Sequence, residues 1–314
     1  MILILASPQD VHARCVKAVL ERTGHQVRII DSGELGNGAL LSYPIGGNPE
    51  TISVSGEAVR FDAVRCVWYR RPRLGHVAEA VKNPAIRQFC RQEWANLLDG
   101  LFLNSPARFV NPLLSEFGAV KPRQLHIASM VGLATPDTLI TNDPEKAGLF
   151  IGKYNGNVIH KALTAPNDRL IDTKRWDETD RPALETLRLA PTIFQELIRG
   201  PADVRATVVG SEIFAAKIST AEGRAGVDSR MDMDALYEQH RLPTEIRDRL
   251  LAFMDRMGLV YGTIDLKITD GGEYVFLEVN PQGQFLYVEI LTGMPITEAM
   301  AALLAQQSGT TFNS

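Results

Sequence analysis

The segment IDLKITDGGEYVFLEVN, residues 264–280, sets two apolar-rich runs on either side of Asp270-Gly271-Gly272. Such runs around a glycine turn read as an antiparallel hairpin, Val260–Thr269 with Glu273–Asn280. A two-residue turn at Gly271-Gly272 places Asp265 directly opposite Glu278, and period-2 alternation puts Glu278 and Asn280 on one face. Moving the turn to Asp270-Gly271 keeps both acids on one face, one step diagonal. Directly opposed carboxylates destabilise a sheet unless a cation lies between them. Two carboxylates plus an amide oxygen form a hard oxygen set that suits Mg²⁺, an ion that also bridges phosphates. The same spacing also fits a solvated hairpin whose acids face water. The apolar neighbours Leu277 and Val279 and the irregular Asn280-Pro281…Gly283 backbone favour the metal site, because unpaired buried carboxylates are costly.

Outward from this hairpin, the last third of the chain continues in antiparallel fashion. Thr192–Ile198 is a strand, and Asp203–Val209 with Glu212–Ile218 form a hairpin around Gly210-Ser211. Pro243–Met257 reads as a helix, with Ile246, Leu250, Phe253 and Met254 on one face, and Ile296–Gln306 as the closing helix. In the middle third, Lys121-Pro122 opens a short helix ending at Gly132, and Val158–Leu163 and Arg169–Thr173 are strands around the loop Thr164–Asp168. The first third alternates instead. Met1–Ala6 is an apolar strand, Ser7-Pro8 looks like a helix N-cap, and Val11, Cys15, Val19 and Leu20 repeat at helical spacing up to Gly24. Strands at Gln26–Ile30, Val64–Tyr69 and Arg108–Asn111, with a helix through Ile86, Trp94 and Leu98, give a βαβ rhythm and a small parallel sheet ending near residue 115.

Composition narrows the function classes. The 314 residues carry 33 Lys+Arg against 37 Asp+Glu, a net charge of −4, which argues against nucleic acid or an anionic membrane as the main partner. Three cysteines without CxxC spacing indicate neither a disulfide framework nor a zinc site, so the cytoplasm is the expected location. No stretch approaches the ~18 apolar residues of a membrane span. Two phosphate loops are excluded. Gly148…Gly152-Lys153 has three residues between its glycines where a P-loop has four, and Gly33…Gly36…Gly38 does not match GxGxxG.

Two lysines invite an anionic ligand. Lys161 lies inside an apolar strand, where an ammonium needs a partner that a phosphate would supply, and Lys121 stands at a helix start. An edge strand or a surface helix would place either lysine in water instead. Thr192–Ile198 runs into Arg199-Gly200-Pro201, a strand end that leaves backbone groups free to read an adenine edge, with Glu196 able to bond its amino group or a ribose.

The order Lys121, Lys161, QEL at 195–197, DVR at 203–205, Asp265 and LEVN at 277–280 resembles the ATP-grasp ligase pattern over most of the chain. The resemblance implies an α/β N-terminal domain (residues 1–115) followed by an ATP-grasp fold of two α+β subdomains, 116–190 and 191–314, that clamp ATP. It implies that Lys121 and Lys161 contact ATP phosphates, that Gln195, Glu196, Leu197, Ile198 and Asp203 line the nucleotide site, and that Asp265, Glu278 and Asn280 ligate magnesium, two ions in all. More narrowly, VWYRRP (67–72), TPDTLITN (135–142), VIHKAL (158–163) and FLEVNPQGQF (276–285) resemble the ATP-grasp enzymes that mature microviridin-like ribosomal peptides, the graspetides. That likeness implies a precursor peptide as partner, with a leader segment and a core of Thr, Ser or Lys plus Asp or Glu. A homodimer is the implied assembly. Phe285, where relatives often carry Trp, and Ser229 between Asp228 and Arg230 depart from the pattern.

Such enzymes convert a carboxylate, a poor electrophile, into an acyl phosphate that a hydroxyl or amine attacks. Arg205, Lys217 and Arg230 are the candidates for the acceptor carboxylate and the tetrahedral intermediate. A strict two-residue turn at Gly210-Ser211 puts Arg205 and Lys217 on opposite faces, and Arg205 carries the motif. Of Arg70 and Arg71, adjacent on a strand, one at most faces a cleft. The loops Thr164–Asp168 and Ser219–Val227 have the composition of lids that exclude water. Alternatives are a glutathione-synthetase-like or glutamate-adding ligase, an ATP-dependent kinase, and a non-catalytic nucleotide-binding protein.

Overall fold

The computed structural model describes residues 1–31, 33, 40–41, 52–54, 57–72, 77, 81–164, 173–219 and 235–306. Chain order begins β1 (Ile2–Leu5), α1 (Val11–Arg22), β2 (Val27–Ile30), the short hairpin β3 (Ile52–Val54) and β4 (Glu57–Val59), β5 (Cys66–Tyr69), α2 (Pro84–Leu103), β6 (Arg108–Val110) and α3 (Leu113–Phe117). Strands β2-β1-β5-β6 form a parallel sheet, as the alternating pattern predicts. ILIL and CVWY are buried along their whole length because helices cover both faces. Leu98, Leu101 and Phe102 of α2 lie on one face. On the other, α1 packs together with residues from the far end of the chain.

The N-cap of α1 is Asp10, whose carboxylate accepts the Ala13 N–H at 2.9 Å, and not Ser7-Pro8. Ser7 instead bonds Gln9, so the helix starts one turn later than the Ser-Pro pair suggests.

The next elements are α4 (Lys121–Met130), β7 (Thr138–Thr141), α5 (Pro144–Lys153), β8 (Val158–Lys161), β9 (Lys174–Arg175) and β10 (Thr192–Glu196). Their sheet has the order β7-β10-β8-β9 and is antiparallel. Val158 and Phe194 face α5, and the opposite face carries Ile159, Lys161, Ile193 and Gln195.

The last part is β11 (Ala202–Val209), β12 (Glu212–Ser219), β13 (Leu236–Gln239), α6 (Thr244–Met257), β14 (Tyr261–Ile268), β15 (Tyr274–Asn280), α7 (Leu286–Thr292) and α8 (Ile296–Ala305). The five strands run β13-β12-β11-β14-β15, all antiparallel. One face is apolar: Val204, Ala206, Val208, Ile264, Leu266, Phe276 and Val279 pack on Leu250, Phe253, Met254 and Met257 of α6 and on α4. Each fully buried side chain there contributes about 2 kcal/mol. The other face is polar, and that asymmetry makes the site. Helix α8 leaves this sheet to pack on α1, so the two ends of the chain share one apolar cluster. Among the described residues, no helix is long and apolar enough to cross a membrane.

Candidate active site

The hairpin pairs Asp265 with Glu278, but by a different route from the one the glycines suggest. Ile268 pairs with Tyr274 and Thr269 N–H bonds Glu273 O, so the loop is Asp270-Gly271-Gly272, three residues, with Gly272 at φ +82°. That loop alone would set Asp265 opposite residue 277. A β-bulge between Asp265 and Leu266 restores the pair by leaving Leu277 as an extra residue on β15. The bulge also resolves a conflict in the alternation. Without it Phe276 would share a face with Glu278 and Asn280; with it Phe276 is fully buried beneath α6 while both polar residues face the cleft.

Register builds the rest of the row. Arg205 pairs with Asp265 across β11 and β14, and its Nη1 donates to Asp265 Oδ1 at 2.7 Å. Only 3% exposed, Arg205 also donates through Nη2 to Gln284 O at 3.3 Å and lies 5.7 Å from the Tyr287 ring centre. Asn280 pairs with Thr263 on the same face, and its Oδ1 accepts the Gln282 N–H at 2.9 Å. Asp203 joins the row two positions before Arg205, with its carboxylate 2.9 Å from Lys267 Nζ.

Lys217 does not join them. The β11–β12 hairpin turns on Gly210-Ser211 without a bulge, so Lys217 pairs with Val204, whose side chain belongs to the core under α6. Its ammonium is on the wrong face to meet Arg205 or Asp265. Arg230, Ser229, and nearly all of the Thr164–Asp168 and Ser219–Val227 loops lie outside the described residues, as does most of the Arg169–Thr173 strand.

The lysines converge on the row from the other sheet and from α4. Lys121, the first residue of α4, lies 3.7 Å from Glu278 Oε2 and donates to Ala162 O at 3.2 Å. Helix α4 is tied to the edge of β15 by Gln124, which donates to Val279 O and accepts from Val279 N, both at 3.0 Å. Lys161 is 8% exposed. Burial pushes its pKa below the usual lysine value, the Glu278 and Asp265 charges pull it back, and Lys121 opposes them. A mostly buried cation thus lies near two carboxylates.

The strand end differs from expectation. Gln195 is inside the sheet, paired on both sides, and its buried side chain donates to Thr138 Oγ1 at 2.9 Å. The Glu196 carboxylate accepts the Asp137 N–H at 3.2 Å, its own N–H bonds Asp137 O, and Leu197 N–H bonds Asn157 O. The N–H groups of Glu196 and Leu197 are therefore engaged within the protein.

Sequence reasoning missed the groups that hold the turn after Asn280. Asn111 Nδ2 donates to Pro281 O at 3.2 Å and Tyr261 O at 2.9 Å, while its Oδ1 accepts from Val260 N and Tyr261 N. Arg70, fully buried, donates through Nη1 to Gln282 O at 2.5 Å and Gly283 O at 3.0 Å. His12 Nε2 accepts from Phe285 N and Leu286 N at 3.1 and 3.3 Å. Burial holds the His12 pKa below the usual histidine value, against the hydrogen bond with Asp10, which suits a neutral acceptor. Burial pushes the Tyr261 hydroxyl up to about 12, so it stays protonated and donates to Gly283 O at 2.7 Å. A Cβ at Gly283 would lie 1.5 Å from Thr263 Oγ1, so only glycine fits there. The one local signal was a polar side chain directly after a strand, at Arg70 and at Asn111. Arg71, at φ +47° and exposed, is the arginine of the pair left to face solvent.

These residues fit a magnesium-bound nucleotide. Two opposed carboxylates and an amide on one face supply hard oxygens, and the mostly buried Lys161 ammonium supplies a counter-charge for phosphate. Among the described residues no cluster of three His, Cys, Asp or Glu offers another metal centre.

No curated protein sequence matches the chain. Among solved structures, the macrocyclase MdnC of Microcystis aeruginosa MRC, bound to precursor peptide MdnA, superposes with TM-score 0.88 at 27% identity, over 98% of this chain and 99% of that one. A RiPP-associated ATP-grasp ligase of Chryseobacterium gregarium, in complex with ADP and a leader and core peptide, gives 0.84 at 26% identity over 98% and 97%. The ATP-grasp ligase PsnB with a minimal precursor, Mg and ADP gives 0.78 at 25% identity over 97% and 96%. The RimK-like ATP-grasp domain model matches residues 120–304, from the helix of Lys121 through the whole polar row, and the chain belongs to that family.

Proposed function

We propose that this protein is an ATP- and Mg²⁺-dependent ligase that cross-links a ribosomal precursor peptide, joining Asp or Glu side chains to Thr, Ser or Lys side chains as esters or amides. The observation that carries this reading is the cleft-facing row Arg205, Asp265, Glu278 and Asn280, met from the opposite side by Lys121 and Lys161. Support for a peptide substrate comes from the relatives, which hold precursor or leader and core peptides. The cytoplasm, a leader-guided substrate and a homodimer belong to the same proposal. So does the division into residues 1–115, 116–190 and 191–314.

Bound magnesium would neutralise the charge that develops as the γ-phosphoryl group passes to the substrate carboxylate. Asp265, Glu278 and Asn280 would hold it. Lys161 and Lys121 balance phosphate charge from the far wall, and a desolvated ammonium there is electrostatically stronger than one in water. Arg205, already oriented by Asp265, is placed to meet the acceptor carboxylate and the oxyanion formed when a hydroxyl or amine attacks the acyl phosphate. The attack forms one ester or amide bond, releases inorganic phosphate, and passes the nucleophile's proton to solvent or a base.

Incubation with a precursor peptide, ATP and Mg²⁺ tests this by mass spectrometry. Each bond should remove the mass of one water from the peptide. A gain of phosphate mass with no dehydration would establish a kinase instead.

A further inference from the structure

We propose that Arg70 and Asn111 are positioning residues for the metal site: from the parallel sheet, they hold the Pro281–Gly283 backbone so that Asn280 presents its amide oxygen beside Asp265 and Glu278. This assignment rests on the metal site proposed above.

The turn after Asn280 is held almost entirely by side chains. The carbonyls of Pro281, Gln282 and Gly283 accept from Asn111, from Arg70, and from Arg70 with Tyr261, in that order. Gln284 O accepts from Arg205, and the next two N–H groups go to His12. Three of these clamps, Asn111, Arg70 and His12, come from the first 115 residues. The peptide unit between Pro281 and Gln282 is the decisive one. Its carbonyl end is held by Asn111, and its N–H end holds Asn280 Oδ1 at 2.9 Å. Fixing that plane fixes the side chain of the third metal ligand, and Arg70 fixes the two peptide units that follow.

Burying a guanidinium completely is expensive, and for simply fastening one layer to another an apolar pair does as well or better. Here Asp10, 3.3 Å from Arg70 Nε, and the Trp68 ring 5.7 Å away offset part of that cost, while Nε and Nη2 make no hydrogen bond among the described residues. Burial by itself raises the Asp10 carboxyl, but the His12 hydrogen bond and the Arg70 charge outweigh it, and Asp10 stays ionised well below the usual carboxylate range. What this arrangement gains is placement: one Nη1 on two successive carbonyls leaves the turn little freedom to rotate. Groups behind metal ligands typically change metal affinity about 10–100-fold when removed.

The test is Mn²⁺ titration of the ADP-bound protein, followed by electron paramagnetic resonance, alongside ADP binding in EDTA. Arg70→Met should weaken Mn²⁺ about 10-fold while metal-free ADP affinity holds. Arg70→Lys, whose ammonium still donates to one carbonyl, should recover part of the loss. If Arg70→Met does not fold, Arg70→Lys and Asp10→Asn decide, the latter retaining the α1 cap; each should show a smaller loss in the same direction. Wild-type Mn²⁺ affinity in every folded variant overturns the proposal, as does an equal loss of metal-free ADP binding. Failure of the wild type to bind Mn²⁺ with ADP, or wild-type binding by Glu278→Gln, would instead sink the metal site itself and the proposal with it.

Discussion

In the parallel sheet the central strands β1 and β5 are apolar from end to end, and the polar groups that matter stand just past the strands: Asp10 and His12 after β1, Arg70 after β5, Asn111 after β6. In the five-stranded sheet they stand mid-strand, on one face, as Asp203, Arg205, Asp265 and Glu278. The cause is how each sheet is covered. Parallel strands buried on both faces have room for function only at their carboxyl ends, whereas an antiparallel sheet packed on one side can line a cleft along its length. On the proposed function one region holds and the other reacts, and substitutions should separate the two.

The largest separation is expected at Glu278→Gln. It should cut Mg²⁺-dependent ADP release on the order of 10²–10³-fold, with an unchanged urea midpoint. A comparable loss of stability would mean that the carboxylate is a structural element. Leu3→Ala, in the middle of β1, should do the reverse: about 3 kcal/mol less stability by urea titration, with an unchanged KM for ATP in the folded fraction. Equal damage to both quantities would erase the distinction between the regions.

Lys161→Met comes next. Burial disfavours its ammonium, so removing the charge should raise the melting temperature at neutral pH while weakening ATP about 10-fold. A fall in both would mean that Glu278 and Asp265 already satisfy the cation.

The smallest effect belongs to His12. Its pKa is lower in the folded protein than in the unfolded chain, so its contribution to stability is present above about pH 6.5 and fades as pH falls below it. The melting temperature should drop between pH 7 and 5 more steeply in wild type than in His12→Gln. Parallel curves would show that His12 accepts its two N–H bonds at no cost in protonation.

The two regions also differ in how far the sequence discloses them. Local periodicity placed the strands of the parallel sheet and four of the five in the other, leaving out the edge strand Leu236–Gln239, and the Asp265–Glu278 pair followed from the turn glycines. The pairing came out right through two compensating departures, a longer loop and a bulge, because strict alternation would have pulled Phe276 out of the core. Sheet register was enough to separate Lys217 from Arg205. The clamp on the Asn280 turn was not legible. His12 and Phe285, Arg70 and Gly283, and Asn111 and Pro281 lie between 170 and 273 residues apart, and no local pattern records such contacts. Asp10 was overlooked for a nearer reason: Ser7-Pro8 offers an equally good cap one turn earlier.

The central claim is that the cleft activates a carboxylate by phosphorylating it, and labelling tests this most directly. A precursor peptide whose Asp and Glu side-chain carboxylates carry ¹⁸O should be turned over in unlabelled water with ATP and Mg²⁺. The account predicts one ¹⁸O in the released phosphate for every cross-link formed, because the acyl phosphate surrenders a carboxylate oxygen on attack. Cross-linked product accompanied by unlabelled phosphate would contradict it.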